Sequence, residues 1–257
     1  MSWEEGENRR GWTRREWVKL GMTVGAVGTL GSLGAATARQ LVPPPVERSG
    51  EIRATLYYTK FPTPQWWNSK VGTPVKTADF KEWDGATGVW RGMFAEDQYV
   101  PGTGFPVLVI RIKRDDSAFT YPRDVTLPDG FALFYDDPTG DAGNGVRIVV
   151  AFDRCVHLCC YPGWHVVDNP APDRGYIAPA PTFQKFNEDP IYCVCHGSQY
   201  EPLSIVKNAN PKNGVEYPGF QHVHGPADRA LPLIPVKAEG GVLVGGMADP
   251  GWYVYCA

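Results

Sequence analysis

The sequence predicts an all-β protein, and three observations carry that expectation. Twenty-nine Gly and twenty-four Pro, about a fifth of the 257 residues, are spread along the chain rather than gathered in one low-complexity block. Between them lie short runs rich in branched and aromatic residues, and helical periodicity is weak throughout. The runs read as strands at FPVLVIRIK (105–113), GFALFYD (130–136), VRIVVAF (146–152), LPLIPVKA (231–238) and GVLVGG (241–246), each closed by turn formers. No internal repeat is visible. A hydrophobic content of 43% is enough to bury one good-sized core with an appendage.

A formal charge of −3 lacks the basic surplus that nucleic-acid binding requires. Five of the six cysteines fall between Cys155 and Cys195, with Cys256 apart, so the pattern is that of one dedicated site and not of a disulfide scaffold.

The N-terminus has its own organisation. Arg14 and Arg15, followed by Glu16-Trp17-Val18-Lys19, resemble a twin-arginine export signal, and residues 1–19 read as a cytoplasmic segment. Leu20 to Ala38 carry no formal charge; as a helix rising ~1.5 Å per residue they nearly cross a bilayer's hydrocarbon. We expect one transmembrane helix over 20–41. The glycines at 21, 25, 28, 31 and 34 either form a smooth strip for another helix or reflect signal composition alone. Arg9, Arg10, Arg14, Arg15 and Lys19 precede the segment, so the positive-inside rule puts the N-terminus in the cytoplasm and the bulk of the chain outside. Ala36-Thr37-Ala38 has the small-x-small form of a cleavage site, but we expect an uncleaved anchor. Residues 42–52, with Pro43-Pro44-Pro45 and Ser49-Gly50, read as a tether to a domain over 53–257.

Two knots carry the chemistry. CVHLCC, from Cys155, places Cys155 and His157 in a C-x-H arrangement; CVCHGSQY, from Cys193, places Cys193 and His196 as C-x-x-H. Each follows a strand-like run, so the simplest placement is two loops at one end of a β-structure. Two thiolates and two imidazoles suit a tetrahedral zinc ion. Such a site leaves Cys160 and Cys195 unused, one in each loop. Their placement suggests a bridge pinning the loops together, which an oxidising compartment permits.

Taken together, the two boxes resemble those of the Rieske iron–sulfur proteins, C-x-H-L-G-C and C-P-C-H-G-S-x-Y, of the disulfide-containing kind found in cytochrome bc complexes. The resemblance implies a Rieske-type antiparallel β-sandwich with an inserted cluster-binding subdomain over about 152–230. It implies a [2Fe–2S] cluster with Cys155 and Cys193 on one iron and His157 and His196 on the other, and a Cys160–Cys195 disulfide. By position, Ser198 donates to a bridging sulfide and Tyr200 to a ligand cysteine. Leu158, Gly197 and Pro226 border the cluster, the last in GPADRALPLIP from Gly225, which resembles the family's proline loop. Neutral imidazoles in place of thiolates make the iron easier to reduce, with potentials spanning roughly −150 to +300 mV.

The implied function is that of the Rieske subunit of a quinol–cytochrome c oxidoreductase in a respiratory chain. His196, with His157, takes an electron and a proton from quinol beside a cytochrome b subunit, and the electron passes to a c-type cytochrome within a dimeric membrane complex. The competing assignment is the Rieske small subunit of an arsenite oxidase, which also joins a twin-arginine signal to a Rieske domain. Rieske ferredoxins and oxygenase domains normally lack the disulfide pair and the export signal. A zinc module is the non-redox alternative.

Three departures from the family pattern stand out. Cys159 occupies the position of a glycine, which matters if that glycine needs a positive φ. Val156 and Val194 replace Thr and Pro. Thirty-five residues separate His157 from Cys193, an excursion rich in Pro and Gly. Cys159 and Cys256 either pair or stand free, and His165, His222 and His224 match no ligand position, so surface or packing roles are expected.

Overall fold

Antiparallel sheets account for nearly all the regular structure in the computed structural model, which describes residues 50–115, 117–140, 144–164 and 191–246. The twin-arginine segment, the 20–41 helix, nearly all of the tether, most of the long excursion, His165 and Cys256 lie outside the described residues. Among the described residues no helix is long and apolar enough to cross a membrane. The only helical elements described are two 3-10 turns, Asn68–Lys70 and Thr77–Asp79.

A five-stranded sheet forms the base, in the order β2 (Tyr57–Tyr58), β3 (Gly85–Trp90), β6 (Phe105–Ile112), β8 (Val146–Phe152) and β7 (Tyr135–Asp137). β6 and β8 are two of the predicted runs. Val107 to Ile112 are all buried, as is β8 except for Arg147. Burial on both faces of the sheet explains why these strands read as continuous apolar stretches and not as alternations.

A hairpin of β14 (Val236–Glu239) and β15 (Val242–Gly245) turns at Gly240 and Gly241, both at positive φ, the geometry of a tight two-residue turn. It docks on the base through the Leu56 N–H to Leu243 carbonyl bond and the Trp90 indole N–H to Gly245 carbonyl bond, both 3.0 Å. A small sheet of β1 (Glu51–Arg53), β4 (Gly92–Ala95) and β5 (Gln98–Tyr99) flanks it.

The second five-stranded sheet carries the site. Its order is β13 (Leu231–Pro232), β12 (Glu216–His224), β11 (Gln199–Ala209), β10 (Ile191–Tyr192) and β9 (Gly163–Trp164). It is stitched to the base by the Ile234 N–H to Val150 carbonyl bond (2.8 Å) and an Ala151–Leu233 bridge.

Two predicted strands are corrected. Of 130–136, only the end becomes β7: Gly130 has φ +78° and the Phe131 N–H bonds back to the Pro128 carbonyl, so the segment turns, and Ala132 makes a single bridge to Val236. The 231–238 run is broken into β13 and β14, because Pro232 and Pro235 lack an N–H and the chain changes sheets after Leu233. Conversely, the long β11–β12 pair was not among the predicted strands. Pro202 lies in its register shift between Glu201 and Ile205, and Pro218 interrupts the β12 pattern.

Leu233 is fully buried where the two large sheets meet. Leu233→Ala is expected to cost about 2–5 kcal/mol, read as a lower urea midpoint.

Candidate metal centre

Backbone pairing brings the two boxes together. Tyr192 pairs with Gly163 on one side and Gln199 on the other. The first box ends three residues before Gly163 and the second fills the space between Tyr192 and Gln199, so both loops emerge at the same end of the sheet.

The loops share one backbone shape. In the first, the Cys155 N–H donates to the Cys160 carbonyl (2.8 Å) and the Cys159 N–H to the Cys155 carbonyl (2.9 Å). In the second, the Cys193 N–H donates to the Ser198 carbonyl (2.8 Å) and the Gly197 N–H to the Cys193 carbonyl (2.9 Å). The fifth residue of each loop is left-handed: Gly197 at φ +80° and Cys159 at φ +63°. Cys159 therefore keeps the turn that a glycine would make without strain, at a cost of roughly 1–2 kcal/mol. Arg154 Nη1 holds its carbonyl at 3.0 Å while the guanidinium stacks on Tyr161, 3.7 Å from the ring centroid. Cys159 is also disulfide-bonded; Cys256, its partner in one of the two alternatives read from the sequence, lies outside the described residues.

Cys160 and Cys195 are joined by a disulfide with Cα atoms 6.4 Å apart. The pairing closes 35 residues of chain, worth about 4 kcal/mol on the chain-entropy account. Cys155 and Cys193 are free thiols, both buried.

Four donors are thus gathered beside the bridge. The rings of His157 and His196 meet edge to face with centroids 4.8 Å apart. Nδ1 of His157 is buried and makes no hydrogen bond, while His196 is exposed. The two thiols hydrogen-bond each other. That bond pulls the Cys155 thiol below its ordinary range, with Tyr200, the His157 backbone and Ser198 adding to the pull against desolvation. It pushes Cys193 up, and burial pushes in the same direction.

Tyr200 Oη lies 3.2 Å from Cys155 Sγ, and Ser198 accepts the Ala227 N–H at 3.1 Å while bonding the same sulfur. Sulfur atoms of Cys160, Cys193 and Cys195 lie within 4.8 Å of one another, a group able to hold a metal ion. With two of them joined in the bridge, only Cys193 of that group keeps a thiol to give.

The surroundings divide by exposure. Leu158, beside His157, is 63% exposed, and Val194 and Pro226 also face solvent. On the inner side, a Cβ on Gly225 would lie 2.5 Å from the Gly197 carbonyl oxygen and 2.5 Å from the Ser198 Cα, and Gly225 itself has φ +94°. The chain from Gly225 therefore presses directly on the second loop.

His222 and His224 lie on β12, partly buried, matching the expected packing roles. His222 meets the Tyr200 ring at 5.6 Å, and burial holds its imidazole below the ordinary range against the pull of the His224 backbone and Asp228. Asp153, under the first loop, is buried with Oδ1 unpaired; burial pushes its carboxyl up to about 8, opposed by Arg154.

Sequence reasoning missed Arg154 as a support, and it named the segment holding Gly225 and Ala227 without their individual contacts. The adjacency of Arg154 to Cys155 was a visible signal, but the contacts of Gly225 and Ala227 are made across the fold. No model of a known protein family matches the chain, and no curated protein matches it.

Gly225→Ala combines a disfavoured φ with a backbone clash and is expected to cost about 1–3 kcal/mol, with faster amide exchange at Gly197 and Ser198. For His222 the folded state favours the neutral ring. Above the unfolded value near 6.5 neither state is charged; as pH falls below it the unfolded chain binds the proton first, so stability drops. Denaturation between pH 8 and pH 5 should show this slope reduced in His222→Gln.

Proposed function

We propose that this chain is a Rieske-type iron–sulfur protein that accepts electrons from quinol in a membrane complex. The observation that carries the reading is the pairing of two loops of one shape, each presenting a cysteine and a histidine, around two buried free thiols. The sheet bearing both boxes and the strip from Gly225 that braces the second loop agree with a Rieske sandwich carrying a cluster-binding subdomain.

The residues fit a [2Fe–2S] group. Cys155 and Cys193 offer two buried sulfurs, the first with its thiol pulled down by its hydrogen bond to the second, and His157 has a buried nitrogen with no hydrogen-bond partner. Bound there, the group supplies reversible one-electron chemistry. Tyr200 and Ser198 aim hydroxyls at Cys155 and favour added negative charge on that sulfur.

His196 is exposed, so its ring can meet a quinol hydroxyl and hold the proton that leaves with the electron. Leu158 and Val194, exposed on either side, make the adjoining surface apolar enough for a cytochrome b partner. The reading places a twin-arginine N-terminus in the cytoplasm, an anchor in the membrane, and this domain outside, where the disulfide is stable and a c-type cytochrome takes the electron.

Electron paramagnetic resonance of the reduced full-length protein should show a single mixed nitrogen and sulfur-ligated [2Fe–2S] centre, with a midpoint that falls as pH rises. A mononuclear ion, or iron held by sulfur alone, would overturn the assignment. Tyr200→Phe should lower the midpoint by about 65–130 mV, the one-electron equivalent of the roughly 1.5–3 kcal/mol carried by a hydrogen bond to a charged group.

A further inference from the structure

We infer that opening the Cys160–Cys195 bond creates a three-thiolate site, Cys160, Cys193 and Cys195, for one soft metal ion. The inference stands on the sulfur geometry, and because the proposed cluster would claim Cys193, the site forms in chain that carries no cluster.

The three sulfurs already lie within 4.8 Å of one another. Tetrahedral zinc–sulfur bonds of about 2.3 Å set ligand sulfurs roughly 3.8 Å apart. Cys160 and Cys195, now in bonding contact, must separate by less than two sulfur radii, and Cα atoms 6.4 Å apart leave room for that by side-chain rotation.

The loops do not depend on the bond for their shape. Each is closed by its own pair of backbone hydrogen bonds, Cys155 to Cys160 and Cys193 to Ser198 among them. Cys195 is exposed and gives an entry path, while Cys193 is buried and forms the floor. A donor set of sulfur alone selects zinc, cadmium or copper(I) over magnesium and calcium, and leaves the fourth position to water.

The chemistry balances with a phosphine as reductant. The phosphine and one water convert the disulfide into two thiols and a phosphine oxide. Binding then releases the protons of the three thiols to solvent as the metal–sulfur bonds form. In this state Cys193 is committed to a single ion, so the site excludes any other group that needs the same sulfur.

Full-length protein free of iron, untreated and phosphine-reduced, would be titrated with cadmium, following thiolate-to-cadmium absorbance and proton release. Reduction should add one tight equivalent. Cys160→Ser and Cys195→Ser should each weaken it by at least the roughly 10–100-fold that even outer-shell groups contribute, and Cys159→Ser should leave it intact.

Equal binding before and after reduction, full binding in Cys160→Ser, or loss in Cys159→Ser would each overturn the inference. Alkylation of the reduced wild type decides without any variant: cadmium should shield Cys160, Cys193 and Cys195 together, and failure to do so sinks the site. Iron content and paramagnetic resonance of the protein as isolated report separately on the iron–sulfur reading.

Discussion

Everything at the site depends on the two neighbours of Tyr192. A two-residue strand that pairs with Gly163 on one side and Gln199 on the other forces two loops, distant in sequence, to leave the sheet at the same end. Backbone hydrogen bonds then give each loop the same closed turn, and the Cys160–Cys195 bond joins two structures already facing each other. The order matters energetically. A bridge between mobile loops would spend its roughly 4 kcal/mol on ordering them, whereas here pairing has done most of that work.

The site is one-sided. Cys155, Cys193, Ser198 and Tyr200 are buried, and Ser198 and Tyr200 lie on or beside β11, the longest strand described, so their hydroxyls are held by the sheet. His196, Leu158 and Val194 face outward. The hydroxyls that face the Cys155 sulfur are therefore dry and held by the sheet, while the His196 ring is wet. This separation lets burial tune one group without trapping the other.

Strain and compensation meet at Cys159. A left-handed non-glycine residue is tolerated because the turn is imposed from outside, by the bond from Arg154 to its carbonyl, by the disulfide it enters and by the hydrogen bonds within the loop. Gly225 shows the opposite case, since there the φ is left-handed and a Cβ would clash with Gly197 and Ser198.

The sequence by itself determined the all-β class, the β6, β8 and β15 strands, and which cysteines and histidines share the two loops, because spacing within six to eight residues is local and the β runs are largely buried. It left β11 and β12 illegible, since Pro202, Pro218 and two histidines spoil the alternation that a strand needs to be read. Only the tertiary structure decided that Cys159 keeps a glycine's turn, that 231–238 divides between two sheets, and that Gly225 and Ala227 brace Ser198. Those outcomes rest on contacts between residues tens of positions apart, whose closing free energy is not encoded in any short window of the chain.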